Sequence, residues 1–396
     1  MNILQITPRL PYPPNDGGAV YIYYNTKYLS QLGNHVTIVS FISNKHEQDA
    51  GPLKVHALVH PIDGNFSPYS LSSVFKSTLS RKPVTIQHRM RPGIMRKALN
   101  EVETQPDVIL LEGLHTAAFI DDLEVLFPKS PIVLRQSNVE YLLLKRNATV
   151  TKNPFIKAFY YDQYRLMKRF ELTAMKRVDA VTAITEYDKE IYLKDLPNLN
   201  VFVNPAGAEI PDSLGIQRKE DHILAISNWR WKPNFDGLKW FLETVWPNFI
   251  EKKPYAKLLI AGEGLEDDFI EKYNHSQIQF LGFVDDLEPL RQSASVFIAP
   301  LFSGSGMKLK IIEGMASGLP IITTKIGAEG IEIENNYHYY QANSKAEFED
   351  AILSLLDNQK KREKMSEAAQ QIVKERYSWN SITLGLIQFL QTVQKK

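Results

Sequence analysis

The sequence predicts an α/β fold of two Rossmann-like, doubly wound parallel-sheet domains, and three observations carry that expectation. Short apolar runs alternate with helical stretches along the chain, the pattern of repeated βαβ units. The runs are continuous rather than alternating, as strands covered by helices on both faces require. At 396 residues the chain is several times longer than one core needs, so two domains are expected.

Ile3-Leu4-Gln5-Ile6, a helix from about Ala19 to Leu32, and Val36 to Ser40 make the first βαβ unit. Further strands follow at Val108 to Leu111, Ile132 to Leu134 and Ala180 to Ala183. From Asn204 to Arg218 the text is rich in Pro and Gly, which punctuate elements, so a first domain is expected over 1–205. A second series, Ile223 to Ser227, Lys257 to Ala261, Ile278 to Leu281, Val296 to Ala299 and Pro320 to Thr323, makes a second domain over 206–378. Residues from Phe348 have helical spacing at Ile352, Leu355 and Leu356, and Trp379 marks a break before a final helix over 379–396 that is expected to pack on the first domain. Ligands of open parallel sheets bind outside the carboxyl ends of the strands, so a cleft between two facing sheets is the expected site.

Composition removes several function classes. Lys and Arg number 46 against 45 Asp and Glu, and a net charge of +1 does not point to nucleic acid as a partner. The absence of cysteine excludes disulfide scaffolds, Cys-based zinc sites and cysteine nucleophiles, and fits a reducing compartment. Met1 to Pro14 lacks the basic and long apolar regions of a secretory signal, and nowhere do 18 apolar residues follow one another. The expected compartment is the cytoplasm, with any membrane contact peripheral and at the inner face.

The richest stretch runs from Pro300 to Pro320. A buried strand ends, a loop containing Gly304, Ser305 and Gly306 follows, and a helix is expected to open near Met307. Free backbone N–H groups and the positive end of the helix dipole then converge on one point, a site for an anion such as a diphosphate. Lys308 and Lys310 add charge there, and Glu313 is placed to accept bonds from sugar or ribose hydroxyls. The plainer reading of the same residues is a tight βα turn with one solvated acid.

The run from Ser303 to Thr324 resembles the signature of glycosyltransferase family 4, the retaining, nucleotide-sugar-dependent enzymes with the GT-B fold. In that family two glutamates eight positions apart flank a glycine loop. The second matches Glu313; the first falls on Ser305, a departure that leaves the donor sugar open. Pro11 to Gly18 looks like the family's first loop, where Gly17 and Gly18 let the backbone approach the donor diphosphate or the acceptor, although such a pair also reads as a simple turn. Asn228, Arg230 and Lys232 open the second domain where the family carries an Arg and a Lys for the diphosphate, but Asp236-Gly237 stands where Lys-Gly is usual. The resemblance therefore leaves phosphate neutralisation to Arg230, Lys232, Lys308 or Lys310. Gly282 to Leu287, with Phe283 and Val284, is similar to the loop whose backbone recognises the nucleotide base, which leaves the base open.

His115 lies just beyond the strand that ends at Leu111 and is the catalytic candidate, placed to bond the transferring sugar or position the acceptor hydroxyl. It resembles the family's cleft histidine, and it reads equally as a surface or helix-capping histidine. Asn138 and Glu140 follow another strand and are acceptor-side candidates, Glu140 being equally a first-turn helix acid. Gly262-Glu263-Gly264 imitates a dinucleotide fingerprint, but Asp267 occupies the third glycine position and the segment reads as the turn after a strand.

The resemblance implies front-face transfer in which the leaving diphosphate accepts the acceptor's proton, with no metal and no cofactor beyond the nucleotide-diphosphate sugar as co-substrate. No Asp-x-Asp among strand residues and no histidine pair at metal spacing is present. The acceptor is expected to be a sugar or a lipid-linked glycan. From Tyr141 to Arg177 nine Lys and Arg stand against two acids, interleaved with aromatics. This segment reads either as a basic helix for an anionic membrane or as a long helix with its aromatics in the core. Two other classes stay open: an epimerase or phosphorylase of the same fold, and a non-catalytic nucleotide-sugar-binding module, which Ser305 and the missing basic pair near Asn228 would fit.

Overall fold

The structure is a computed structural model that describes every residue except 43–49, 64–76, 78, 88–91, 212–220, 305 and 395–396. The chain divides into unit 1, Met1–Pro205 with Thr383–Lys396, and unit 2, Ala206–Ile382.

In unit 1 the elements are β1 (Asn2–Thr7), α1 (Gly17–Gln31), β2 (His35–Ile42), β3 (Leu58–Asp63), α2 (Val84–Gln87), α3 (Pro92–Leu99), β4 (Val108–Glu112) and α4 (Ile120–Leu126). They continue as β5 (Ile132–Arg135), α5 (Glu140–Val150), α6 (Pro154–Met175), β6 (Ala180–Ala183), α7 (Glu186–Asp195) and β7 (Val201–Val203). All seven strands are parallel, in the order β3-β2-β1-β4-β5-β6-β7, with Gln5 opposite both Ile38 and Leu110. Every residue of β4, β5 and β6 is buried, as the continuous apolar runs predict. The edge strands β3 and β7 escape that pattern: β3 carries Pro61 and is partly exposed, and β7 is three half-buried residues. An edge tolerates proline and a wet face because one side needs no partner.

Two expectations change here. The first helix begins at Gly17 rather than near Ala19, because the Asp16 side chain accepts from the N–H groups of Gly18 and Ala19 and caps it. The segment from Tyr141 to Arg177 is two helices, α5 and α6, because Asn153 caps a new helix with Pro154 in its first turn.

In unit 2 the elements are β8 (His222–Ile226), α8 (Lys232–Trp240), α9 (Trp246–Lys252), β9 (Lys257–Ala261), α10 (Asp267–Lys272), β10 (Ile278–Gly282), α11 (Glu288–Ser293) and β11 (Val296–Ala299). They continue as α12 (Leu309–Ala316), β12 (Ile321–Thr323), β13 (Tyr340–Gln341), α13 (Lys345–Leu356), α14 (Gln359–Ile372) and α15 (Trp379–Gln394). The six strands are parallel in the order β10-β9-β8-β11-β12-β13. The two-residue β13 at the edge is too short to read from sequence. From Thr383 onward α15 belongs to unit 1, where Leu386, Leu390 and Val393 pack with Ile3, Val108 and Leu110 and Phe389 stacks on Phe202 at 4.8 Å.

Each sheet reverses its winding once, between β1 and β4 in unit 1 and between β8 and β11 in unit 2. The loops leaving those strands diverge to opposite faces and open a crevice at the carboxyl edge, where ligands of this architecture bind.

Candidate functional site

In unit 2 the crevice is built from the turn after β8 and the loop after β11. Ser227 is buried behind β8, and the Asn234 amide donates to the Asn228 carbonyl at 2.8 Å, closing the turn into α8. Two glycines let backbones approach closely here. A Cβ on Gly237 would lie 1.9 Å from the Pro300 carbonyl oxygen, and one on Gly262 would lie 1.8 Å from that of Ser227. Helix α8 is thus pressed onto the end of β11.

After β11 the chain passes through Gly304 (φ 123°) and Gly306 (φ 73°), which keep it out of the right-handed helical region. Lys308 is extended and forms the N-cap, so the helix opens at Leu309 and not near Met307. Ser305 lies outside the described residues. The Lys310 ammonium crosses the crevice and donates to the Ser227 hydroxyl at 2.5 Å and the Asn234 side-chain oxygen at 2.9 Å. Ser227, Trp229, Asn234, Pro300 and Lys310 line a small cavity there. Burial, with the nearby Lys308 charge, lowers the Lys310 amine to about 7. Lys308 itself donates to the Gly306 carbonyl at 2.5 Å. Near neutral pH Lys310 is therefore poised between charged and neutral, and an arriving anion would hold the charged form.

Glu313, in the second turn of α12, is about one-third exposed and pairs with Arg291 of α11. Arg291 also lies 3.7 Å from Glu288, whose carboxylate accepts from the Ser317 hydroxyl at 2.7 Å. Arg291 engages one oxygen of Glu313, Oε2.

The other unit 2 candidates stand apart. Arg230 is exposed and lies 3.4 Å from Glu263, and Lys232 is exposed and pairs with Asp236 at 2.8 Å. The residues brought to Lys310 are instead Ser227 and Asn234. Asn228 contributes its carbonyl to the turn and its side-chain oxygen to the Arg230 N–H at 3.0 Å. After β10, Gly282 turns the chain with φ 62°, Phe283 is exposed, and Val284 packs on the core.

In unit 1 the crevice lies between the ends of β1 and β4. The loop after β1 leads to Gly17 and Gly18, which are exposed and open α1 with neither φ positive. Burial works to raise the Asp16 carboxyl, but Arg9 and the capped N–H groups override it and hold it below its ordinary value. After β4, Gly113 (φ 82°) turns the chain into a single 3-10 stretch, Leu114–Phe119, in which His115 is half-buried. Beneath this turn Glu112 pairs with the fully buried Arg135 at 2.6 Å and accepts from Gln5 at 2.9 Å. Arg135 also donates to Asn204 at 3.1 Å and lies over the Tyr21 ring.

Asn138 and Glu140 mark the entry to α5. The residue before that helix, Val139, offers no capping side chain, and the buried carboxylate of Glu171 from α6 substitutes. It accepts from the N–H groups of Glu140 at 3.3 Å and Tyr141 at 3.1 Å, from Gln136 at 3.2 Å and from the Tyr192 hydroxyl at 3.3 Å. The Tyr192 hydroxyl also donates to the Asn138 carbonyl at 3.1 Å. Burial, and then the Glu140 charge, push Glu171 up to about 8. Arg291, Ser227, Asn234 and Glu171 were not singled out by the sequence. Among the described residues no three His, Asp or Glu side chains come together as a metal would need, and no helix is long and apolar enough to cross a membrane.

Comparison with known proteins agrees with this geometry. Residues 220–358 match the family Glycosyl transferases group 1. The chain is 23% identical to an uncharacterized 44.6 kDa protein in the cps region of Klebsiella pneumoniae, over 95% of this chain and 96% of that one. Among solved structures, sucrose-phosphate synthase from Thermosynechococcus elongatus superposes with a TM-score of 0.70 at 14% identity, covering 99% of each chain. Anabaena HepE in complex with UDP and glucose superposes with a TM-score of 0.64 at 12% identity, over 98% of this chain and 99% of that one. The family match makes residues 220–358 of unit 2 similar to glycosyl transferases of group 1, and the two reversing parallel sheets with the superpositions give the whole chain the GT-B fold of a glycosyltransferase.

Proposed function

We propose that the protein moves a sugar from a nucleotide-diphosphate donor to a sugar or lipid-linked glycan acceptor with retention of anomeric configuration and without a metal. The observation that carries the donor side is Lys310, spanning the unit 2 switch point beside the N-terminus of α12. In this reading the diphosphate oxygens take the N–H groups that open α12 and the ammonium groups of Lys308 and Lys310, and Glu313 turns its remaining oxygen to ribose or sugar hydroxyls. As the bond from the anomeric carbon to the diphosphate breaks, the growing negative charge is met by groups already in place. The leaving oxygen takes the proton of the attacking acceptor hydroxyl, so no protein base is needed beside the acceptor. His115, at the carboxyl end of the central strand of unit 1, orients the sugar or the acceptor hydroxyl. Because the HepE structure holds UDP and glucose, uridine donors are the first to test.

The test is a thermal-shift series with UDP, GDP, ADP and their sugar conjugates, with and without EDTA, on the wild type and Lys310→Met. One nucleotide series is expected to raise Tm by mass action, unaffected by EDTA, and the shift is expected to vanish in the variant. Loss of the shift on adding EDTA would overturn the metal-independent part. No shift with any nucleotide would favour a non-catalytic module.

A further inference from the structure

Helices α5 and α6 pack as a hairpin joined by Thr151 to Asn153, and their lengths do not match the strand they follow. Strand β5 has four residues, about 13 Å, and delivers the chain to the carboxyl edge of the sheet. Helix α6 has 22 residues, about 33 Å, and must return the chain to the amino edge, where the parallel β6 begins. Helix α5, of 11 residues and about 16 Å, therefore climbs past the carboxyl edge before α6 descends. Burial agrees: the buried residues of α6 are Gln163, Met167, Glu171, Ala174 and Met175, none of them in its first nine positions.

The overhanging tip is apolar and cationic. Val150 is 77% exposed, Phe155 83% and Ile156 48%. Lys145, Arg146, Lys152 and Lys157 surround them and are all exposed, and no acid occurs between Glu140 and Asp162. A bare phenylalanine in the first turn of a helix, ringed by cations, suits a surface that is anionic at its face and apolar a few ångströms below. Two such tips would repel each other, which disfavours a second copy of this chain as the occupant.

We propose that the tip of the α5–α6 hairpin is a docking surface for an anionic lipid bilayer, into which Val150, Phe155 and Ile156 insert while Arg146, Lys152 and Lys157 lie against the headgroups. The same overhang sets the carboxyl edge of the unit 1 sheet, with His115, Asn138 and Glu140, toward the membrane surface. This deepens the acceptor side of the reading above, since a lipid-linked acceptor would be presented at that edge.

The experiment is flotation of the full chain with vesicles of phosphatidylcholine alone or with phosphatidylglycerol. Three proteins are compared: wild type, Phe155→Ser with Ile156→Ser, and Lys152→Gln with Lys157→Gln. The wild type is expected to float with anionic vesicles at low salt and to stay in solution with neutral ones. The serine pair is expected to lose roughly tenfold in partitioning, and the glutamine pair to lose binding together with its salt dependence. Circular dichroism should be unchanged in both variants, because the substituted residues are exposed. A wild type that stays in solution with anionic vesicles, or a serine pair that floats as well as wild type, overturns the proposal. So does a wild-type dimer that the serine pair dissolves, which would make a second copy the occupant. Neither donor nor acceptor is present, so failure here leaves the transferase reading standing.

Discussion

Replacing Glu171 with glutamine tests whether a buried carboxyl holds the entry to α5. In the wild type the folded group titrates at about 8 against an ordinary 4.5, so between those values the folded chain keeps a proton that the unfolded chain has released. Stability then falls as pH rises across that window, because the folded state binds more protons. One proton corresponds to about 1.4 kcal/mol per pH unit, so two units inside the window, from pH 5.5 to 7.5, amount to roughly 2 to 3 kcal/mol. The groups facing Glu171 are Glu140 and Tyr141 from α5, Gln136 ahead of that helix and Tyr192 from α7, and none supplies a cation to cancel the effect. Glutamine keeps an acceptor for the same N–H groups and has nothing to titrate. Urea unfolding followed by circular dichroism is the assay, on both proteins at several pH values. The variant is expected to match the wild type or fall slightly below it near pH 5.5 and to exceed it near pH 7.5. Parallel pH profiles would refute the reasoning, since they would mean that Glu171 is ionised in the folded state throughout.

Glu313→Ala is expected to weaken nucleotide-sugar binding by tenfold or more in calorimetry while leaving the melting temperature of the free protein nearly unchanged, because Arg291 retains Glu288 as a neighbour. His115→Ala should lower kcat by about a hundredfold and shift donor affinity far less; if unfolding accompanies the loss, the histidine is structural. Gly237→Ala would place a carbon against the Pro300 carbonyl and should cost about 1–3 kcal/mol in chemical denaturation as α8 is pushed from β11. A variant as stable as wild type would show that this contact relaxes freely.

Central strands are legible because burial on both faces removes every polar choice, and Val108 to Leu111 or Val296 to Ala299 can be little else. The edge strands β3, β7 and β13 answer to weaker demands, and a proline or a wet face disguises them. The site divides in the same way. The glycine loop and Lys308, Lys310 and Glu313 stand together in the text, so their convergence can be expected from local geometry. The partners of Lys310 lie 83 and 76 residues away and that of Glu313 lies 22 away, and no local pattern couples such positions. Glu171 was hidden differently: among nine cations it reads as a solvated charge, and only the packing of α6 on α5 reveals that it is buried. Gly17 and Gly18 show the same limit, because a glycine pair permits a loop and a helix start alike, and the Asp16 cap decides between them.

The composition of unit 1 from two stretches of chain has a consequence for synthesis. Leu386, Leu390 and Val393 leave the ribosome after all of unit 2, yet they pack with Ile3 and Leu110 from the first strands made. During translation those early strands wait with an apolar face uncovered while some 180 further residues emerge, at 5–20 residues per second a delay of roughly ten to forty seconds. Unit 2 has no such dependence and can close its own core first. The nascent chain is therefore most exposed to aggregation and to chaperone capture on the face of the first sheet that α15 later covers, and a premature stop before Leu386 would leave that face bare for the life of the protein.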